Sequence, residues 1–313
     1  MQWQTSASIE TLKIRSAYNQ KIRQFFDERS YLEVETPYMS RFGVTDPALS
    51  NIKACFRDET YYLQTSPEYH MKRLLAAGSG PIYQMARVFR DDEYGRWHNP
   101  EFSLLEWYQL DVDHWYLMQE LEDLLKYLGN VPDFMYLSYQ QAFENACNFN
   151  PLATSLLEIQ DVCQGFDLAG VLGLEESIDQ HLHLLMAFVV EPYLKDLNQP
   201  VLLYHFPASQ ASLAKVEGQI AHRFELYWQG IELANGFHEQ TDAQTQQRRF
   251  EEDNVIRQSM GLKPMAIDTQ LIAALTHGMP PCSGLALGLD RLLAIFTDKT
   301  NIAEVMSFAF PML

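Results

Sequence analysis

Two glutamates, Glu225 and Glu232, flank the dipeptide Gln229-Gly230. If that dipeptide closes a two-residue hairpin, Trp228 pairs with Ile231, Tyr227 with Glu232 and Glu225 with Ala234. Residues 225, 227, 232 and 234 then share one sheet face, with the carboxylates on a diagonal about 7–8 Å apart at the backbone. Two long acidic side chains at that spacing can converge on one divalent cation, and Mg2+ held by one or two carboxylates together with substrate phosphates is the usual arrangement in ATP sites. Two solvent-facing glutamates would have the same spacing, so this pair alone leaves both readings open.

Glu106 and Tyr108 stand two apart on an apolar stretch and share a face with Phe102, Leu104 and Leu110. A carboxylate on such a face is costly unless it meets a buried Arg or Lys, or a cationic ligand. Ser66-Pro67-Glu68 adds an acid just after the strand-like residues 61–64, and Glu239 follows Asn235-Gly236-Phe237. Several acids around one cleft suit a substrate that carries amines. The loop 90–101 holds Arg90, Arg96, His98 and Asn99. Guanidinium groups clamp two oxygens of a phosphate or carboxylate at once, while a solvated charged loop is the alternative. Gly284-Leu-Ala286-Leu-Gly288 puts three small residues on one strand face, a flat floor for a planar ring or simply close strand packing. Arg291, in the first turn of the following helix, points a cation at the same place. His181, His183 and His205 lack partners at metal-ligand spacing along the chain and read as structural.

Elements that place these residues follow from periodicity. Residues 9–29 carry Tyr18, Ile22, Phe25 and Phe26 on one helical stripe, and 31–36 alternate like a strand up to Pro37. Residues 82–89 and 102–110 read as strands joined by the long charged loop. Asp113 caps a helix whose stripe is Leu117, Leu121, Leu124 and Leu128, with Gly129 as its stop. Helical patterns fill 138–197. Strands return at 201–205, 223–228 and 231–237, a polar helix follows Asp242, and the segment 284–288 runs into an apolar helix at Asp290. The pattern predicts a single α+β domain over 1–313, an antiparallel sheet flanked by helices with a helical insertion in the middle.

Composition narrows the function classes. The 313 residues carry 23 Lys+Arg against 41 Asp+Glu, a net charge of −18, with 47% apolar and 20% charged residues. That is a globular composition, and its acidity works against a protein that grips a phosphate backbone through many Lys and Arg contacts. The four cysteines are far apart and form no C-x-x-C pair, so they read as buried thiols in a reducing cytoplasm. The longest apolar run, 184–190, is far short of the ~20 residues that span a bilayer. The expectation is a soluble cytoplasmic protein with no membrane contact.

Taken together, the segments resemble the class II aminoacyl-tRNA synthetase catalytic domain, in its lysyl branch. FFDERSYLEVETP resembles motif 1, whose Pro37 position lies at a homodimer interface in that family; VFRDDEYGRWHNPEFSLLEWY resembles motif 2 and GLALGLDR motif 3. Motif 1 begins almost at residue 20, which leaves no anticodon-binding barrel and implies no anticodon-reading tRNA contact. Motif 3 has Ala286 where the synthetases usually have Gly. With YHFPASQASLAK and GIELANGFHE, these departures resemble the elongation factor P lysine ligase family.

The resemblance implies ATP and Mg2+ as cofactors, β-lysine or lysine as the small substrate, and elongation factor P as the protein substrate. It implies an AMP-forming activation of (R)-β-lysine, less well of α-lysine, and transfer to a lysine side chain. Arg90 would bridge the α-phosphate and the substrate carboxylate, with Asp92 near adenine, though motif 2 normally has Glu at that place. His98 and Asn99 would lie along the nucleotide and Phe102 on the adenine ring, with Leu233 and Gly288 also binding the cofactor. Glu225 and Glu232 would hold Mg2+, and Arg291 would meet the terminal phosphates. Ser66, Pro67, Glu68, Glu106, Tyr108, Asn235, Glu239 and Ala286 would form the diamino-acid pocket, with Glu239 taking the distal amine. Two alternatives stay open here: a lysine-activating enzyme that charges tRNA or another acceptor, and a catalytically inactive regulatory paralogue.

Overall fold

The computed structural model describes residues 3–91, 93–173 and 176–310. The first helix, α1 (Ile9–Asp27), starts where the Ser8 hydroxyl accepts the Thr11 N–H at 3.1 Å, and it buries Ile22, Phe25 and Phe26. The chain then enters β1, which is only Leu32–Glu33. The alternating pattern at 31–36 overstates this strand, because Thr36 leaves the sheet and its hydroxyl donates to Gln84 Oε1 at 3.0 Å.

A small three-stranded sheet follows, with β2 (Met39–Ser40) and β3 (Lys53–Phe56) on either side of β4 (Glu59–Leu63). It leads into α2 (Glu68–Ala76), a helix that the sequence reading missed. The long hairpin of β5 (Ile82–Phe89) and β6 (Glu101–Leu110) is in the expected place. Asp113 caps α3 (His114–Leu128), which buries Leu117, Leu121, Leu124 and Leu128, as its stripe predicts.

After β7 (Met135–Ser138) comes the helical stretch: α4 (Tyr139–Cys147), α5 (Leu156–Gly165), α6 (Ile178–Leu185), a π-helical turn Met186–Val190, and α7 (Glu191–Asp196). Its first three helices start in reciprocal capping boxes, Ser138 with Gln141, Ser155 with Glu158 and Ser177 with Gln180. The rest is strand-rich: β8 (Val201–Pro207), β9 (Val216–Glu217), β10 (Ile220–Trp228) and β11 (Ile231–His238). Then come α8 (Ala243–Ser259), α9 (Thr269–Gly278), β12 (Cys282–Gly288) and α10 (Leu289–Phe296).

The main sheet has the order β1-β5-β6-β12-β11-β10-β8-β7, with β9 paired to β10. It is antiparallel through its middle, as expected, but β1 with β5 and β7 with β8 are parallel, so the sheet is mixed. On one face the alternate residues Leu105, Trp107, Leu285, Leu287, Phe224 and Leu226 pack under α1, α3 and α10. On the other, α2, α8 and α9 cover one end through Met71, Phe250 and Leu271, and the helices after β7 cover the opposite end through Phe143, Ile159 and Leu182. The uncovered strip between those two groups is the floor of a cleft.

The cysteines depart from expectation at one place. Cys147, Cys163 and Cys282 are buried, but Cys55 is exposed on β3. Among the described residues, no helix is long and apolar enough to cross a membrane.

Candidate active site

One row of residues crosses the sheet floor. Glu106 of β6 pairs with Ala286 of β12, Ala286 with Asn235 of β11, and Asn235 with Glu225 of β10. The last pairing corrects the expected register. Gln229 and Gly230 form the two-residue turn, both left-handed with φ of 54° and 74°, and Trp228 and Tyr227 pair with Ile231 and Glu232 as predicted. The register then shifts between Leu226 and Tyr227, so Glu225 faces Asn235 and Ala234 turns into the apolar core. A bulge reverses which side chains face the cleft beyond it.

Acidic groups gather at the β6 end of the row. Glu106 is 2% exposed; it accepts from the Ser66 hydroxyl at 2.7 Å and from the Tyr108 hydroxyl at 2.8 Å. Ser66 Oγ also accepts the Glu68 N–H at 3.0 Å, which fixes the start of α2. Lys72, one turn along α2, bridges Glu68 Oε1 at 2.7 Å and Glu239 Oε2 at 2.6 Å. Glu239 Oε1 is buried with no hydrogen-bond partner among the described residues. A Cβ on Gly284 would sit 2.6 Å from that oxygen and 2.2 Å from the Tyr108 ring, so only glycine fits there.

Three carboxylates against one lysine leave this end short of positive charge. Burial, and next the charge of Glu68, push Glu106 up to about 8. Burial raises Glu239 to about 8 as well, against the lowering pull of Lys72. Lys72 keeps its proton: burial would lower its pKa, but Glu239 and Glu68 together raise it above the ordinary value. A ligand bringing ammonium groups would relieve the carboxylates, and the free Glu239 oxygen is a place to receive one.

Arg90, Arg223 and Arg291 bring positive charge to a cleft of about 1360 Å³ over this floor. Ser66, Glu68, Arg90, His98, Asn99 and Phe102 line it, together with Glu225, Glu232, Leu233, Asn235, Ala286, Gly288 and Arg291. Pro67, Glu106, Tyr108 and Glu239 are not on its wall; Pro67 caps α2, and the other three are buried. Asp92 lies outside the described residues.

Arg90 stands 5.0 Å over the Phe102 ring, its NH1 3.2 Å from Glu93 Oε1, while its Nε is buried without a partner among the described residues. Arg291 is held by carbonyls, its Nε on Trp97 O at 3.1 Å and its NH1 on Glu232 O at 2.8 Å. Burial, and next the Arg291 cation, hold His98 below its usual pKa. Asn99 is spent on structure: its amide donates to Glu101 O at 2.7 Å and its oxygen accepts from Phe310 N at 2.9 Å.

The two candidate metal-binding glutamates differ. Glu225 accepts from Arg223 NH2 and, at 2.7 Å, from the Tyr227 hydroxyl. The Glu232 carboxylate makes no hydrogen bond among the described residues, and burial, then the charge of Glu225, raise its pKa to about 7. Its raised pKa and free oxygens fit a divalent cation, and each Glu225 oxygen keeps a second lone pair to offer.

Several residues here were missed from sequence. Lys72 and Arg223 each neutralise a candidate carboxylate, and Arg223 also reaches Asn235 Oδ1 at 3.2 Å. Ser177, Asp179 and His183 bring α6 to the cleft wall. Asp179 accepts from Ser209 and Gln210 at 2.9 and 3.0 Å, which ties the HFPASQASLAK segment to that helix. His181 is a core residue bonded to Ser177 O at 2.9 Å. His205, however, is not alone: its Nε2 lies 3.2 Å from His114 Nε2.

A β6-β12-β11-β10 floor with an arginine from the motif 2 loop on one side and an arginine from the motif 3 helix on the other is what a class II synthetase site requires. The chain belongs to the class II tRNA synthetase family: the family model for tRNA synthetases class II (D, K and N) matches residues 1–312.

Individual relatives are more particular. The chain is 50% identical, over 98% of its length and 97% of the relative's, to a protein of Hamiltonella defensa subsp. Acyrthosiphon pisum (strain 5AT) named elongation factor P–(R)-beta-lysine ligase. It is 48% identical, with the same coverage of both chains, to a protein of that name from Edwardsiella ictaluri (strain 93-146).

Proposed function

We propose that this chain is an AMP-forming ligase that activates (R)-β-lysine, and α-lysine less well, with ATP and transfers it to a lysine side chain of elongation factor P. The observation that carries the reading is the charge arrangement of the floor. Two carboxylates raised by burial, with a Glu239 oxygen that has no partner among the described residues, lie together near Lys72, and Arg90 and Arg291 line the cleft with Glu225 and Glu232. That polarity fits a diamino acid with its ammonium groups at the acids and its carboxylate toward the arginines. Ser66, Glu68, Tyr108, Asn235 and Ala286 complete the amino-acid end, and Pro67 sets the start of α2.

On this reading Phe102, His98, Leu233 and Gly288 hold the nucleotide, with Asn99 shaping the loop. Arg90 leaves its stacking position over Phe102 to meet the α-phosphate and the substrate carboxylate, and Arg291 meets the terminal phosphates. The substrate carboxylate attacks the α-phosphorus in line and pyrophosphate departs. A lysine amine of the protein acceptor then attacks the acyl carbon, releasing AMP and forming an amide. Positioning and electrostatic stabilisation by the arginines supply the acceleration, and no covalent enzyme nucleophile is needed. Mg2+ on Glu225 and Glu232, when bound, would neutralise phosphate oxygens.

The chain would act as a cytoplasmic homodimer with Pro37 at the interface. The test is the intact mass of elongation factor P after incubation with the enzyme, ATP and (R)-β-lysine. A gain of one β-lysyl residue supports the reading. Aminoacylation of tRNA with no change in elongation factor P favours the tRNA-charging alternative.

A further inference from the structure

Away from the cleft, three histidines far apart in the chain meet beneath the start of α3. His114 is the first residue of that helix, His205 lies on β8 and His222 on β10. One nitrogen from each ring lies within 4.8 Å of the others. His114 and His205 have their Nε2 atoms 3.2 Å apart, and the His222 ring centroid is 4.9 Å from that of His114 and 5.8 Å from that of His205.

One orphaned atom points to a ligand: the His222 Nδ1 is buried without a hydrogen-bond partner among the described residues. His114 is itself 2% exposed. The other His222 nitrogen, Nε2, is 3.2 Å from Glu217 Oε2 on β9. A carboxylate on the far nitrogen is the common way to fix the tautomer and direction of a metal-binding imidazole.

The backbone is bent to make this meeting. Between Ala221 and Phe224 the β10 strand advances three residues while β8 advances two, from Phe206 to Tyr204, so a bulge lies opposite His205. His205 itself is left-handed, with φ 59°. Strand alternation would send it to the face of Leu203, which packs with Phe206 under the insertion helices. It turns instead to the α3 side, with its ring centroid 5.5 Å from that of Trp115. Bulges that re-aim a side chain, and non-glycine residues in left-handed backbone, are concentrated at functional positions.

We propose that His114, His205 and His222 form a binding site for one transition-metal ion of the Zn2+ type, with Glu217 orienting His222. The ligand atoms are Nε2 of His114, Nε2 of His205 and Nδ1 of His222. Two nitrogens at the usual Zn–N length on tetrahedral positions lie about 3.3–3.4 Å apart, close to the spacing found between His114 and His205. Three imidazoles with no thiolate suit Zn2+, Ni2+ or Cu2+ and leave a fourth position for water. His238, with its ring centroid 5.9 Å from that of His222, is next in line. The ion would tie α3, β8 and β10 together on the face of β10 opposite Arg223 and Glu225.

The test is equilibrium binding of Zn2+ to chelator-stripped full-length protein by competition with a chromophoric chelator, with metal content measured after gel filtration. The expected result is one ion per chain, a rise in thermal midpoint with added ZnCl2, and a four-coordinate visible spectrum with Co2+. His205→Gln and His222→Gln should weaken binding more than 100-fold, and Glu217→Ala about 10–100-fold. His277→Gln, on exposed α9, should bind as wild type, and so should Glu232→Gln, which separates this site from the cleft. Circular dichroism confirms that each variant is folded. His205 and His222 carry the test if the buried His114→Gln variant fails to fold. Wild-type protein that retains no Zn2+, or a folded His205→Gln variant that binds it as tightly as wild type, overturns the proposal.

Discussion

Lys72 Nζ lies 2.6 Å from Glu239 Oε2, with 2% and 1% of the two side chains exposed. The candidate amine pocket thus already holds one ammonium group, donated by the protein. Removing one partner of a buried pair leaves the other uncompensated, at a cost of about 3–5 kcal/mol. Lys72→Met should therefore lower the thermal midpoint, and the deficit should be larger at pH 8.5 than at pH 6, where Glu239 and Glu106 can take up protons. Thermal scans at the two pH values check this; a deficit independent of pH contradicts the charge account.

The raised carboxylates have their own pH signature. Glu106 and Glu239 stand at about 8 when folded against an ordinary 4.5. Their raised values disfavour the folded state increasingly as pH climbs from about 4.5 to about 8, and no further above that. Ammonium groups favour the ionised carboxylates, so binding of a diamino acid at pH 7 should release protons and tighten as pH rises toward 8. Calorimetry in two buffers of different ionisation enthalpy reads the released protons directly; proton uptake would contradict the assignment.

Substitutions at the two ends of the floor should separate binding from chemistry. Glu239→Gln and Glu106→Gln should raise KM for the diamino acid about 10–100-fold, the loss of a charged hydrogen bond, with a smaller change in kcat. Arg90→Ala and Glu232→Gln should lower kcat of pyrophosphate exchange about 100–1,000-fold, by analogy with the loss of one preorganised oxyanion donor. Steady-state kinetics with ATP and amino acid varied in turn make the distinction.

Ala286 sits between Glu106 and Asn235 in the floor row and lines the cleft. Ala286→Gly should shift the preference between β-lysine and α-lysine by about 10-fold or more, the worth of one methyl group in a fitted pocket. Unchanged kcat/KM ratios would move the selectivity elsewhere.

How far these features could be read in advance depends on their range in the chain. Asp113 and Asp242 marked the starts of α3 and α8, because a cap acts over three residues. The turn at Gln229-Gly230 was legible for the same reason. The bulge one residue past Tyr227 was not: it answers to the packing of Leu226 and Ala234 in the core, which no local pattern encodes. Lys72 was hidden by the short helix α2, whose acidic partner Glu239 arrives from the residue just after β11. The histidines of the proposed metal site come from α3, β8 and β10, and only the folded sheet brings them together. For the candidate site, the motif 2 and motif 3 residues were legible as a set through family resemblance, whereas the compensating ions Arg223 and Lys72 required the structure.

The most direct test of the central claim is ATP–pyrophosphate exchange measured with (R)-β-lysine, (S)-β-lysine, α-lysine and ornithine in parallel. The predicted result is exchange with (R)-β-lysine at the highest kcat/KM, α-lysine well behind, and KM for both raised about 10–100-fold in Glu239→Gln protein. Equal exchange with α- and β-lysine would contradict the claimed preference, and no exchange with any of the four would contradict the activation chemistry itself.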